Sequence, residues 1–169
     1  NMVRDEIAAN MPYKVVYIPN VEADDIIGTL VEQTQEFGQH EDIMIISADK
    51  DFIQLQKYGN VKQYSPMTKK FIKDDNPHSY LFEHVLKGDS SDGIPNVLSG
   101  DDTFVESIRQ SPMTKKKIQE YVDNAENLES YMTAEVYRNY KRNQLLVDLA
   151  YVPTEIKKSI IDTSEAVKV

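Results

Sequence analysis

The stretch YKVVYIPNVEADDIIGTLV, residues 13–31, decides the architecture. Its first half is β-branched and aromatic, is closed by Pro19, and reads as a buried strand. From Glu22 onward Ile26, Ile27, Leu30, Val31 and Phe37 recur at helical spacing, and Gly38 supplies a stop. A strand therefore runs into a helix whose first turn carries Glu22, Asp24 and Asp25. DIMIIS, residues 42–47, reads as the next strand, and DKDFIQLQKY after it as a short helix. Strand, helix, strand, helix is the alternation of a parallel α/β sheet.

Outward from this unit, Asp5 to Met11 reads as the end of a short helix. VKQYS and KKFIK flank Pro66 and read as a hairpin or a pair of edge strands. PHSYLFEHVLKG reads as a helix capped by Gly88, after which strand signals cease. Segments 101–110, 113–123, 133–149 and 153–161 read as helices, interrupted by Pro112 and Pro153. The expected class is α/β: a partial parallel sheet with flanking helices over residues 1–87, then a helical region over 88–169.

A chain of 169 residues suits one core, and its 40% hydrophobic content is that of a globular protein. No apolar run approaches the roughly 18 residues of a membrane span, so no membrane partner is expected. The absence of cysteine excludes disulfides and zinc–thiolate centres. A net charge of −9 opposes binding of a polyanion, unless the carboxylates converge on cations that a substrate would meet instead.

Convergence follows from the order of elements. Ligands of an open α/β sheet bind beyond the carboxyl ends of its strands. VVYIP leads into Glu22, Asp24 and Asp25, and IMIIS leads into Asp49 and Asp51, so both sets should emerge at one edge. A helix dipole contributes only about 0.3–1 kcal/mol per charge, too little to hold five like charges in one cleft. Divalent cations would do so, and oxygen donors without cysteine select Mg²⁺ or Mn²⁺. Taken singly, each motif has a plainer reading: VEADD as a capped helix start, and GDSSDGIP, residues 88–95, as a turn. Their joint occurrence at the ends of regular elements is harder to produce from structural need alone.

VEADD, then ISADKDFIQL, then LKGDSSDGIPNV resembles the metal-binding series of the 5′ nuclease superfamily. That superfamily holds flap endonucleases, the 5′ exonuclease domains of bacterial DNA polymerases and phage 5′ to 3′ exonucleases. MPYKVVYIPNVEADD, YGNVKQYSPMTKKFIK and YKRNQLLVDLAYVP extend the likeness to its branch of T-even bacteriophage ribonucleases H, which remove RNA primers. The resemblance implies a PIN-like nuclease core, two Mg²⁺ or Mn²⁺ ions, and cleavage of RNA:DNA hybrids and flap or nicked duplex DNA. A single-strand-binding protein or clamp would be a further partner, and the host cytoplasm the location of a phage-encoded enzyme. Carried over by position, Glu22 helps hold the first ion and Asp24 lies between the two. Asp49, Asp51 and Asp89 hold the second, Asp92 ligates directly or through water, and Asp25 stands beside these.

In this family GDSSDGIPNV opens a helix-three-turn-helix that grips duplex backbone, often with a monovalent cation. Here LSGDDTFVES follows, which places Asp101 and Asp102 where a phosphate should approach. Lys115, Lys116 and Lys117 offer compensating duplex contacts or simply a solvated helix face, and Lys69, Lys70 and Lys73 are further candidates. The family's leading acidic strand and basic arch have no counterpart in this sequence. The expectation is therefore the C-terminal part of a 5′ nuclease, inactive or nearly so until complemented. The rivals are a non-catalytic nucleic-acid-binding module, half of a split nuclease, and a small PIN-type nuclease.

Overall fold

A computed structural model describes residues 2–167. Helix α1 (Met2–Asn10) precedes α2 (Ala23–Glu32), which runs on as a single π turn, Gln33–Phe37, and ends before Gly38. Strand β1 (Ile43–Ile46) leads into a 3-10 helix, Lys50–Lys57. Then come β2 (Val61–Ser65), β3 (Lys70–Ile72) and α3 (Pro77–Lys87). The second half holds α4 (Lys115–Asp123), α5 (Leu128–Tyr131), α6 (Ala134–Val147) and α7 (Thr154–Ala166). Short 3-10 turns at Ala125–Asn127 and Leu149–Tyr151 lead into α5 and α7.

The sheet has the order β1-β2-β3 and is mixed. β1 and β2 run parallel, with Ile43 opposite Val61 and Ile46 opposite Tyr64, and the Lys50–Lys57 helix makes the crossover. β3 returns antiparallel with Ser65 opposite Lys70, so the hairpin read around Pro66 is present. Val31, Ile45, Phe52, Leu55 and Val61 form the core beneath the sheet. A second core gathers Leu86 and Val97 with Ile118, Tyr121, Leu128 and Met132 from the helical half. Val85, Ile94 and Val147 form a small third cluster under the acidic turn.

Two expected elements differ. Residues 14–18 of YKVVYIP form no strand among the described residues: β1 pairs with β2 and β2 with β3, and no ladder partner lies beside them. A β-rich composition makes a chain extended, but only cross-strand hydrogen bonds make it a strand. Residues 101–107 form turns rather than a helix. Their apolar side chains have no core to enter: Val105 is 82% exposed and Ile108 49%. Ser107 takes a left-handed φ of 56°, and Asp101 is drawn away to α6. Without an apolar face to bury, helix propensity alone does not hold a helix. Among the described residues no helix is long and apolar enough to cross a membrane.

Candidate metal centre

Each acid of the site stands at an element's end. Glu22 is extended (φ −78°, ψ 158°) just ahead of α2, and its side chain makes no capping hydrogen bond. The plain reading of VEADD as a cap therefore fails at Glu22, whose carboxylate is left facing the cleft. Asp24 Oδ1 accepts from the Asp25 amide at 3.0 Å. Asp49 caps the 3-10 helix by accepting from the Asp51 amide at 3.0 Å, and its own amide donates to Ser47 Oγ. Buried Gln63 donates to the main-chain oxygens of Ser47 and Asp49 and fixes the approach to this pair.

Asp89 begins a closed turn in which the Ile94 amide donates to the Asp89 carbonyl at 2.7 Å. Gly88 turns the chain out of α3 at φ 64°, ψ −171°, a region open essentially to glycine alone. A Cβ there would lie 2.4 Å from the Ile94 carbonyl oxygen. Asp89 Oδ1 accepts from both the amide and the hydroxyl of Ser91. The hydroxyl bond is the main reason its pKa falls below the ordinary carboxylate value.

Three elements thus deliver acids to one place. Glu22, Asp24, Asp51, Asp89 and Asp92 line a cleft of about 310 Å³ with His84, Gly93, Ile94, Leu146 and Val147. An adjoining cleft adds Asp49 and Ser47 to Glu22, Asp24, Asp51 and Asp92. Burial, then the neighbouring Asp49, Asp24 and Asp89 carboxylates against the opposing pull of His84, pushes Asp51 up to about 6. Asp24 first, then burial, Asp25 and Asp92, raise Glu22. Asp25 is raised mainly by burial and lies near Glu22 and Asp24 without lining either cleft.

His84, which sequence reasoning missed, lies between two of the acids. Its Nδ1 is 3.5 Å from Asp51 Oδ1 and its Nε2 is 3.4 Å from Asp89 Oδ2. The buried Nδ1 has no hydrogen-bond partner. The signal was a histidine in the last turn of a helix that ends, at Gly88, one residue before an acid. Asp51, His84 and Asp89 offer ligand atoms within 4.8 Å of one another, as do Glu22, Asp24 and Asp25. Among the described residues no Lys or Arg lines either cleft. Carboxylates that raise one another's pKa, with an imidazole but no cation among them, fit divalent metal.

The predicted basic contacts stand elsewhere. Lys115 and Lys116 are exposed on the first turn of α4, while Lys117 pairs with Glu120 at 3.0 Å. Lys69 and Lys70 are exposed at the β2–β3 turn. None of these lines the acidic clefts. Asp101 does not face outward unpaired. Arg138 Nη1 and Nη2 donate to its two oxygens at 2.8 and 3.2 Å, and Arg142 Nη1 donates to Oδ1 at 2.5 Å.

Comparison with known proteins agrees with this geometry. Residues 2–82 match the family described as 5′-3′ exonuclease, N-terminal resolvase-like domain. Just under half of the chain is thus similar to the N-terminal domain of 5′-3′ exonucleases. Residues 77–169, more than half of the chain, match the family described as T4 RNase H, C terminal, and the chain belongs to that family. It is 38% identical over 165 residues to ribonuclease H of Enterobacteria phage T4, covering 95% of this chain and 53% of that protein. It is 34% identical over 99 residues to a 5′-3′ exonuclease of Buchnera aphidicola, covering 54% of this chain and 34% of the relative. The chain spans about half the length of the T4 relative and a third of the Buchnera one. Among solved structures the T5 D15 protein, co-crystallized with metal ions, matches with a TM-score of 0.52 at 19% identity. That match covers 88% of this chain and 62% of the T5 chain and shows the shared fold.

Proposed function

We propose that this chain carries most of the metal-binding cleft of a 5′ to 3′ exonuclease and flap endonuclease with ribonuclease H activity. Its substrates would be phosphodiesters in RNA:DNA hybrids and in flap or nicked duplex DNA, as in primer removal during phage replication. The observation that carries the reading is the meeting of Glu22 and Asp24, Asp49 and Asp51, and Asp89 and Asp92 in adjoining clefts that no Lys or Arg among the described residues lines.

Two divalent ions, Mg²⁺ or Mn²⁺, are assigned to this set. Glu22 and Asp24 would hold the first ion, Asp24 would contribute to both, and Asp49, Asp51, Asp89 and Asp92 would hold the second. Asp25 supports Asp24 from outside. Ions held by these carboxylates would supply activation of a water and compensation of charge on the phosphodiester. The protein's part is to hold and orient. Asp49 fixes its orientation through the Asp51 amide, Asp89 through Ser91, and the half-buried Asp51 sits where a cation would relieve repulsion from three acids. No side-chain nucleophile is required.

Residues 88–169 form the duplex-binding region of this reading, with Lys115, Lys116 and Lys117 as backbone contacts, Lys69 and Lys70 as outlying ones, and a monovalent cation near the 88–97 turn. A single-strand-binding protein or clamp is the proposed recruiting partner. The test is Asp49→Asn and Asp89→Asn, made singly in the complete protein and assayed on an RNA:DNA hybrid and a 5′ flap in Mg²⁺. Each should remove cleavage, and unchanged turnover in both sinks the assignment.

A further inference from the structure

Asn143 on α6 is fully buried, and each of its polar atoms is engaged. Its Nδ2 donates to the Val85 carbonyl at 2.9 Å and to the Pro95 carbonyl at 2.8 Å. Its Oδ1 accepts from Arg142 Nε at 2.9 Å. Val85 follows His84, and Pro95 closes the turn that holds Asp89 and Asp92. One side chain thus ties together the two chain segments that flank the acidic turn. A turn further along the same helix, Leu146 and Val147 form part of the cleft wall.

We infer that Asn143 is a positioning residue for the metal cleft, setting the separation of the His84 and Asp51 pair from Asp89. The inference rests on the proposed metal-binding function. An amide is the group this place requires. An apolar side chain would take from the Val85 carbonyl the donor that Asn143 supplies and from the Pro95 carbonyl one of its two donors, and a lysine would put a full positive charge behind carboxylates that have to attract cations. The guanidinium that does lie nearby, Arg142, donates to the Pro95 carbonyl and has its charge offset by Asp101.

Asn139 provides the internal control. It is equally buried, and its Nδ2 donates to the Val97 and Ser99 carbonyls at 3.0 and 3.1 Å, further along the loop and away from the acids. Asn143→Ala and Asn139→Ala remove the same number of donated bonds. Mn²⁺ affinity, followed by the loss of free-ion EPR signal, and the thermal midpoint are measured for each variant and for the unaltered chain. The expected result is a lower midpoint in both but weaker Mn²⁺ binding in Asn143→Ala alone, by about 10-fold or more, the usual effect of removing a group that orients ligands. Asn143→Ser, which can reach only one of the two carbonyls, serves if the alanine variant does not fold, and an intermediate loss of affinity is expected. Unaltered affinity in a folded Asn143 variant, or an equal loss in Asn139→Ala, overturns the inference. An unaltered chain that binds no Mn²⁺ instead overturns the metal reading, and this inference with it.

Discussion

Asp101 shows how a single residue can be read correctly in type and wrongly in effect. Its position in LSGDD implied an acid obstructing a phosphate, whereas two arginines 37 and 41 residues later hold it. Nothing local predicts a pairing at that separation. Its hydrogen bonds to Arg138 and then Arg142 lower its pKa from 3.8 to about 2. A depressed folded-state pKa stabilises the fold fully above the unfolded value and loses that effect as pH falls through the folded one. The stability difference between the unaltered chain and Asp101→Asn should therefore shrink between about pH 4 and pH 2, as urea unfolding at each pH would show. His84 was illegible for a related reason: a lone histidine near a helix end reads as a complement to the dipole. Gly88 was legible as a cap, but its ψ of −171° and its close approach to Ile94 were not. Gly88→Ala should cost at least ~2 kcal/mol in denaturant titration, from the strained backbone together with the displaced turn.

Among elements, periodicity recovered those whose apolar face meets a core. α2, the 3-10 helix after β1, the β2–β3 hairpin, α3, α4 and α6 lie close to their expected bounds, and α7 starts where expected but runs on to Ala166. The misreadings are an extended segment whose strand character depends on a neighbour and a loop whose apolar residues stay in water. Both depend on partners that no local window contains. α4 starts two residues inside its expected bounds because Thr114 caps it, accepting from the Lys117 amide at 3.2 Å, and it buries Ile118 and Tyr121. Thr114→Ala should lower stability by about 1 kcal/mol while leaving the exposed Lys115 and Lys116 in place. Leu86 at the end of α3 is completely buried, and Leu86→Ala should cost about 3 kcal/mol by opening a cavity between the acidic turn and the helical half. Equilibrium unfolding of the two variants would separate a cap from a core contact.

For the whole molecule, a charge of −9 would cease to be an argument against a polyanionic substrate with cations bound among the cleft carboxylates. The same carboxylates make the fold sensitive to cations. Mg²⁺ or Mn²⁺ at a hundred times its dissociation constant should stabilise the chain by about 2.7 kcal/mol. Na⁺ at equal ionic strength should not reproduce this rise in thermal midpoint, and Asp51→Asn should abolish it. That the acids after residue 21 and those after β1 meet was expected from the order of elements, although the first of the two strands in that expectation is absent among the described residues. The third motif joined them through the family resemblance. That an imidazole lies among them and buried amides hold the loops behind them was not legible, since those contacts join distant parts of the chain. The two family descriptions overlap at residues 77–82, the opening turns of α3, a helix with His84 and Gly88 at its far end. The boundary between these two inherited pieces thus passes through the rod that joins one pair of cleft acids to the next. Exchange of either piece between relatives would have to preserve the length and phase of that rod. Each piece is recognisable separately, yet one helix is common to both.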